Sequence, residues 1–183
     1  GTCSQDKLSS KTLLGVVIYE KSASQNGWIM TVKPVKTGIA WGVYGTTTGI
    51  TDKAVSASCT NTQKLVAKGS DYEAAITANN YKPTGTPSGK SWCLPSYDLL
   101  NNLNNSVNFA KVNAGITTAG GTKLGYGGQP SYSYEYVWSS SECSDYDYGA
   151  WGFTAYTSGS FDMNYYGKIY DDTYRSVRPV MSF

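Results

Sequence analysis

The chain of 183 residues fits one domain, spanning 1–183, and is long enough to bury a core of normal size. Its charged fraction is only 15%, and Ser, Thr, Asn, Gly and Tyr make up the difference, which suits an extracellular β-rich surface. A net charge of +2 argues against a nucleic-acid-binding protein, and no apolar run is long enough to span a bilayer.

Taken in order, Leu13-Leu14-Gly15-Val16-Val17-Ile18-Tyr19 is a continuous apolar, β-branched run that predicts a buried strand within 11–20. Asn26-Gly27 is a strong hairpin signal, with Trp28-Ile29-Met30-Thr31-Val32 as the returning strand and Pro34 closing it. Residues 39–44 form a short apolar piece and 46–49 a loop. From Thr60 the period becomes helical: Leu65, Val66 and Ala67, then Ala74, Ala75 and Ile76, predict one helix in two pieces over 61–79, interrupted at Gly69-Ser70-Asp71. After a Pro- and Gly-rich loop, Ser96 is placed to cap a second helix over 97–104, with Leu99, Leu100 and Leu103 on one face. A short helical turn is expected over 107–112, since asparagines are poor helix formers. Residues 115–130 read as a long glycine-rich loop without a phosphate-binding GxxxxGK[ST] pattern. Strands return at 134–141, 149–156 and 175–183, and the last is expected to pair near the N-terminal strands. In the middle one, Trp151, Phe153 and Ala155 alternate with Gly152, Thr154 and Tyr156, which predicts one core-facing side and one facing out.

Four cysteines, Cys3, Cys59, Cys93 and Cys143, are widely spaced, and the chain has no histidine. Zinc sites need such ligands clustered, so no metal and no cofactor is expected. Two disulfides are permitted, with three possible pairings. No basic-then-apolar leader opens the chain, so any signal peptide is expected to have been removed.

The segment 134–183 carries two textures. Val137, Trp138, Trp151, Phe153, Val177 and Val180 belong to a scaffold, with Trp138 and Trp151 expected in the core. Between them lie short polar residues and tyrosines, the composition binding surfaces use: Tyr gives large amphipathic contact at low entropy cost, and Ser, Gly, Asn and Asp give adaptable hydrogen bonds. From Glu142 to Tyr174 six acids face Lys168 alone, so a long polyanion would be a poor ligand there. The expected ligand face, within 143–174, comprises Ser144, Asp145, Tyr146, Asp147, Tyr148, Tyr156, Ser158, Ser160, Asp162, Asn164, Tyr165, Tyr166, Tyr170, Asp171, Asp172 and Tyr174. The same residue types would also make a soluble outer face of an antiparallel sheet with turns.

Gly15-Val16-Val17-Ile18-Tyr19 followed by Gly27-Trp28-Ile29-Met30, then Asn61-Thr62, Trp92-Cys93-Leu94-Pro95-Ser96, Trp138-Ser139-Ser140-Ser141-Glu142, Ala150-Trp151, Lys168 and Val177-Arg178-Pro179-Val180 with Phe183 together resemble a bacterial C-type-lectin-fold family. It includes the C-terminal domain of collagen-like adhesins and the variable proteins diversified by retroelements. The resemblance covers nearly the whole chain. It implies an α+β C-type lectin fold, with antiparallel sheets, two main helices and a long loop region, whose last strands and loops carry a ligand site on a rigid base. The family often places Glu where Leu99 stands, so the reciprocal helix cap is missing. Cys93 and Cys143 stand where aromatic or polar residues are expected, which leaves a local bridge between them open. The Glu-Pro-Asn and Trp-Asn-Asp signatures of calcium-dependent lectins are absent, and Gln129-Pro130-Ser131 is a partial echo only.

Adenine-directed mutagenesis of Asn codons reaches every residue from Cys143 to Gly149, Asn164-Tyr165-Tyr166 and Tyr170 to Tyr174. It never yields Trp138, Glu142, Trp151 or Lys168, which fall at scaffold positions, nor Met163, for which the pattern offers no account. The leading expectation is therefore a non-catalytic receptor or adhesin module, secreted, at the cell surface or on a phage particle, with a protein or glycan ligand. A related fold hosts copper-dependent thiol oxidases that form formylglycine, for which Cys93 and Cys143 would be the thiol pair. Without histidine, Ser-His and Cys-His nucleophile schemes are excluded. A third reading is a pilus or phage-tip subunit that displays the same face.

Overall fold

The computed structural model describes residues 11–127, 133–169 and 174–183. Strands β1 (Val16–Tyr19) and β2 (Trp28–Met30) pair antiparallel, as their apolar runs predict. The hairpin is not tight, however. Residues 20–27 connect the strands, and Gly27 serves close approach: a Cβ there would lie 2.4 Å from the Phe183 ring. Gly27 does not adopt a positive φ, so the Asn-Gly signal reports packing and not a turn.

After a two-residue strand β3 (Lys36–Thr37), a 3₁₀ turn at Val55–Ala57 leads into α1 (Ser58–Val66), and α2 (Glu73–Asn80) follows. The helical region thus opens earlier than 61, and its two pieces are separate helices. α3 (Tyr97–Asn101) is shorter than expected, although Leu99, Leu100 and Leu103 are all fully buried. Ser96 holds the N-cap position without capping: its side chain makes no cap hydrogen bond, and its N–H donates to Ser58 Oγ at 2.9 Å.

The expected turn at 107–112 is a full helix, α4 (Ser106–Thr118), and the glycine-rich loop begins only after it. The asparagines that argued against this helix have partners that compensate for their low propensity. Asn105 caps it through Val107 N and Asn108 N, Asn108 Nδ2 donates to Asn102 O at 2.9 Å, and Asn113 Oδ1 accepts from Leu124 N at 2.8 Å.

The C-terminal part forms a five-stranded sheet, ordered β3-β7-β4-β5-β6, from β4 (Tyr134–Glu142), β5 (Gly149–Tyr156), β6 (Phe161–Gly167) and β7 (Arg175–Val177). It is mixed, because β4 and β7 run parallel. The arrangement is α+β as expected, but among the described residues there are four α-helices where two main ones were expected, and one of the sheets is mixed where antiparallel sheets were expected. The stretch 175–183 does not stay in one sheet. It breaks at Arg178-Pro179, and β8 (Val180–Ser182) joins β2 in a second sheet ordered β1-β2-β8, bringing the C-terminus beside the N-terminal strands.

One core lies between this sheet and α3 and α4, around Leu99, Leu103, Phe109, Val112, Val137 and Phe153. A second, around Ile39, Trp41, Leu65, Ala74, Leu94, Tyr136 and Trp138, covers the other side of β4. Both faces of β4 and most of β5 are therefore buried, and the expected in-and-out alternation of β5 fails at Thr154, which is 1% exposed. Gly152 explains how. A Cβ there would lie 2.5 Å from the Tyr136 ring, so its absence lets that ring lie across β5, with the hydroxyl donating to Ala150 O at 3.1 Å and Asn164 O at 3.0 Å.

Cys59 on α1 is bonded to Cys93, which itself bridges Val180 of β8, and Cys143 is a separate buried thiol. A bridge between Cys93 and Cys143 is thereby replaced by one closing a separation of 34 residues. Such a closure contributes about 3 kcal/mol, chiefly by restricting the unfolded chain. Cys93→Ser is expected to lower Tm by about 6–12 °C, and peptide mapping of the non-reduced protein should recover Cys59 linked to Cys93; a Cys93–Cys143 linked peptide would contradict this connectivity.

Candidate functional site

The register of β5 and β6 sorts the tyrosines by face. Trp151 pairs with Tyr165, Phe153 with Met163 and Ala155 with Phe161, so these six share the helix side, whereas Tyr166, Asn164 and Asp162 lie on the opposite side. Composition alone makes the tyrosines one surface. The structure divides them into two.

On the helix side, at the edge of the sheet, the rings form a continuous band. Tyr44 stacks on Tyr148 with centroids 5.7 Å apart, Tyr148 meets Tyr146 at 5.3 Å, and Tyr146 stacks on Tyr165 at 4.9 Å. Tyr165 then meets Trp151 edge-on at 5.4 Å, and Trp151 meets Tyr97 of α3 at 4.9 Å. Lys53 closes the end, its Nζ 4.6 Å from the Tyr97 ring and 4.8 Å from the Trp151 ring. Tyr44 is 54% exposed and Tyr146 42% exposed. Ser144, Asp145 and Asp147 are exposed in the same loop, with Ser144 Oγ donating to Asp145 Oδ1 at 3.0 Å. The Tyr165 hydroxyl is pushed up to about 12, first by the Tyr146 hydroxyl beside it and then by burial, so it stays protonated throughout the physiological range.

The opposite side holds the second group. Here Arg175 is buried with its guanidinium 5.2 Å from the Tyr136 ring, 5.0 Å from Trp138, 4.8 Å from Tyr166 and 5.3 Å from Tyr174. Tyr134 lies against both Tyr174 and Tyr156. Asp162, Asn164, Tyr156, Tyr166 and Tyr174 thus belong to this patch, and Ser158 and Ser160 sit in the turn between β5 and β6, their hydroxyls 2.8 Å apart. Tyr170, Asp171 and Asp172 lie outside the described residues, as do Cys3 and Gln129-Pro130-Ser131.

Trp138 is fully buried as expected, but Trp151 is only half-buried and belongs to the band itself. Tyr44, Tyr97 and Lys53 also join the band, none of them expected from sequence. Contacts between positions so far apart in the chain leave no local pattern.

Beneath the band sits a buried ion pair, Lys168 Nζ to Glu142 Oε1 at 2.5 Å, with both side chains at most 1% exposed. Burying two charges costs several kcal/mol, so such a pair persists only when its remaining hydrogen-bonding capacity is met. It is met here. Glu142 accepts from Thr48 N, Thr48 Oγ1 and Gly49 N at 2.8 to 2.9 Å, and Lys168 Nζ donates to Thr46 O at 2.8 Å and to Asp147 O. The Lys168 backbone also accepts from Trp41 N and Gly42 N and donates to Tyr148 O. Loops 41–49 and 143–149, which carry Tyr44, Tyr146 and Tyr148, are thereby tied to one point.

A second pair secures the glycine-rich loop. Glu135 receives Arg178 through Nε at 2.7 Å and Nη2 at 2.9 Å, Ser176 Oγ at 2.7 Å, and the N–H groups of Gly125 and Gly127. Arg178 Nη2 also donates to Thr122 O at 2.8 Å. Among the described residues no group of three or more His, Cys, Asp or Glu side chains could hold a metal ion, and no helix is long and apolar enough to cross a membrane.

Burial alone pushes the Glu142 carboxyl up, but the hydrogen bonds from Lys168 and Thr48 outweigh it and hold it below its ordinary value. A folded-state pKa below the unfolded one contributes stability that is present above the unfolded value and lost as pH falls through the folded one. Acid titration of stability should therefore steepen below about pH 4.5, and Glu142→Gln should flatten that region. Lys168→Met, which leaves the carboxylate buried and unpaired, should cost about 3–5 kcal/mol in denaturant unfolding at neutral pH; a loss under about 1 kcal/mol, the size of a surface pair, would show that the pair is not the anchor of these loops.

Compared with family models, curated proteins and solved structures, the chain gives no match.

Proposed function

We propose that this chain is a non-catalytic ligand-binding module, a receptor or adhesin domain of the C-type lectin kind, and that its contact surface is the aromatic band from Tyr44 through Tyr148, Tyr146 and Tyr165 to Trp151 and Tyr97. At the surface, exposed Tyr44 and Tyr146 stack on half-buried Tyr148 and Tyr165, beside a buried ion pair whose hydrogen-bonding capacity is met, and this carries the reading. A contiguous cluster of exposed rings calls for an explanation that scattered ones do not. Rings already ordered against their neighbours lose little further freedom on binding, so more of their contact energy appears as affinity. A few of them are expected to contribute most of it.

Retroelement-type diversification of the loop 143–149 extends the same reading. Within it, Ser144, Asp145, Tyr146 and Asp147 are exposed, whereas Trp138, Glu142 and Lys168, which adenine-directed change cannot produce, are buried. Met163, also unreachable, packs against the core beside Phe153 and Phe161, which accounts for it as scaffold. The copper-oxidase alternative loses its thiol pair, since Cys93 is already bonded to Cys59. An outward-facing site on a rigid support suits a secreted, cell-surface or phage-borne protein, including a pilus or tip subunit.

The double variant Tyr146→Ala, Tyr148→Ala tests the reading against an array of cell-surface proteins and neutral glycans. Whatever the wild type binds should be lost by at least about 30-fold, as for hot-spot aromatics, while Tm falls by no more than about 8 °C, the loss of the ring contacts alone. Undiminished binding would place the contact surface elsewhere, and a fall of more than about 8 °C would make these rings structural.

A further inference from the structure

We propose that the partner of the aromatic band is cationic: an arginine- or lysine-bearing segment of another protein, laid across Tyr44, Tyr148, Tyr146 and Tyr165. The inference rests on the binding-surface reading above and adds the chemistry of the ligand. The fold itself uses its rings to seat cations. Lys53 stands over Tyr97 and Trp151 at one end of the band, and on the other side of the sheet Arg175 lies within 5.3 Å of four ring centroids. The ring quadrupole is negative on its face, so a guanidinium or ammonium placed there is attracted, more strongly as water is excluded.

Among the described residues no Lys or Arg head group stands over Tyr44, Tyr146, Tyr148 or Tyr165. The charge around these rings points the same way. Asp145 and Asp147 are exposed on either side of Tyr146, and Asp98 is exposed next to Tyr97. The nearby cations are already engaged: Lys168 is buried on Glu142, and Lys53 occupies its own two rings. An approaching ligand therefore meets tyrosine rings and exposed carboxylates carried by the same loop, and a sulfated or sialylated glycan would meet repulsion. Arginine fits this pairing best, since its planar head stacks on a ring while its N–H groups reach a carboxylate.

The test is a random 12-residue peptide library selected on the immobilised full chain and counter-selected on the Tyr146→Ala, Tyr148→Ala variant. Tyrosine-dependent binders are expected to be enriched in Arg and Lys. A synthetic binder should weaken about 10-fold when its arginines become glutamine, and about 3- to 10-fold against Asp145→Asn, Asp147→Asn protein, more at low salt than at high. Tyrosine-dependent binders of neutral or acidic composition would overturn the cationic assignment while leaving the binding surface intact. Finding no tyrosine-dependent peptide would also overturn it, and the surface reading would then rest on the protein and glycan array alone.

Discussion

The Glu142–Lys168 pair is the interaction on which the ring-bearing end of the molecule depends. Two opposite charges taken out of water gain little net stability over an apolar pair of the same volume. What they gain is geometry. Glu142 takes N–H and O–H donors from Thr48 and Gly49, Lys168 reaches the carbonyls of Thr46 and Asp147, and each of these bonds works only at one placement of its loop. The loop joining β4 to β5, the 41–49 segment and the end of β6 converge on this pair, so rings carried by all three can stack in fixed order.

That arrangement separates two jobs that a tyrosine can do. Tyr136, wholly buried, spans β5 through the space at Gly152 and closes its hydroxyl on two carbonyls, and burial drives its pKa well above the ordinary value even though Arg175 pulls it down. It is a strut. Tyr44 and Tyr146 touch mainly other rings and face water. Their mutual contacts, about 0.5–1.5 kcal/mol per pair, are enough to order them but small beside the core. An exposed and pre-ordered surface is what a binding site needs and what a fold can spare. Glu135 with Arg178 does for the glycine-rich loop what Glu142 with Lys168 does for the band.

Much of this was legible because it is local. The apolar runs at β1, β2, β4 and β5, the helical spacing at α1 and α2 and the leucines around α3 each carry their structure within a dozen residues. The failures have physical reasons as well. β6 alternates Phe161, Met163 and Tyr165 against Asp162, Asn164 and Tyr166, yet its polar, tyrosine-rich composition reads as loop, and it is a strand because β5 offers an edge. α4 was underestimated because the partners that satisfy Asn105, Asn108 and Asn113 are not in the helix pattern. Pro179 hid a change of sheet inside an apparently single strand. Within the candidate site, Tyr146, Tyr148 and Tyr165 were found by composition, but the division of the tyrosines between two faces needed the register. Tyr44, Lys53 and Tyr97 are invisible to any local pattern, and so is the pairing of Glu142 with Lys168 across 26 residues.

If the band is a contact surface, it is dispensable to the fold that orders it. The measurement that decides this is to display every single substitution of the chain on yeast and sort for protease resistance at graded protease concentrations. Positions 44, 144 to 148 and 165 are expected to accept nearly all residue types, while Glu135, Tyr136, Trp138, Glu142, Lys168 and Arg178 are expected to accept almost none. If Tyr146, Tyr148 and Tyr165 prove as intolerant as Tyr136, the band is part of the core and the surface it forms is not a site.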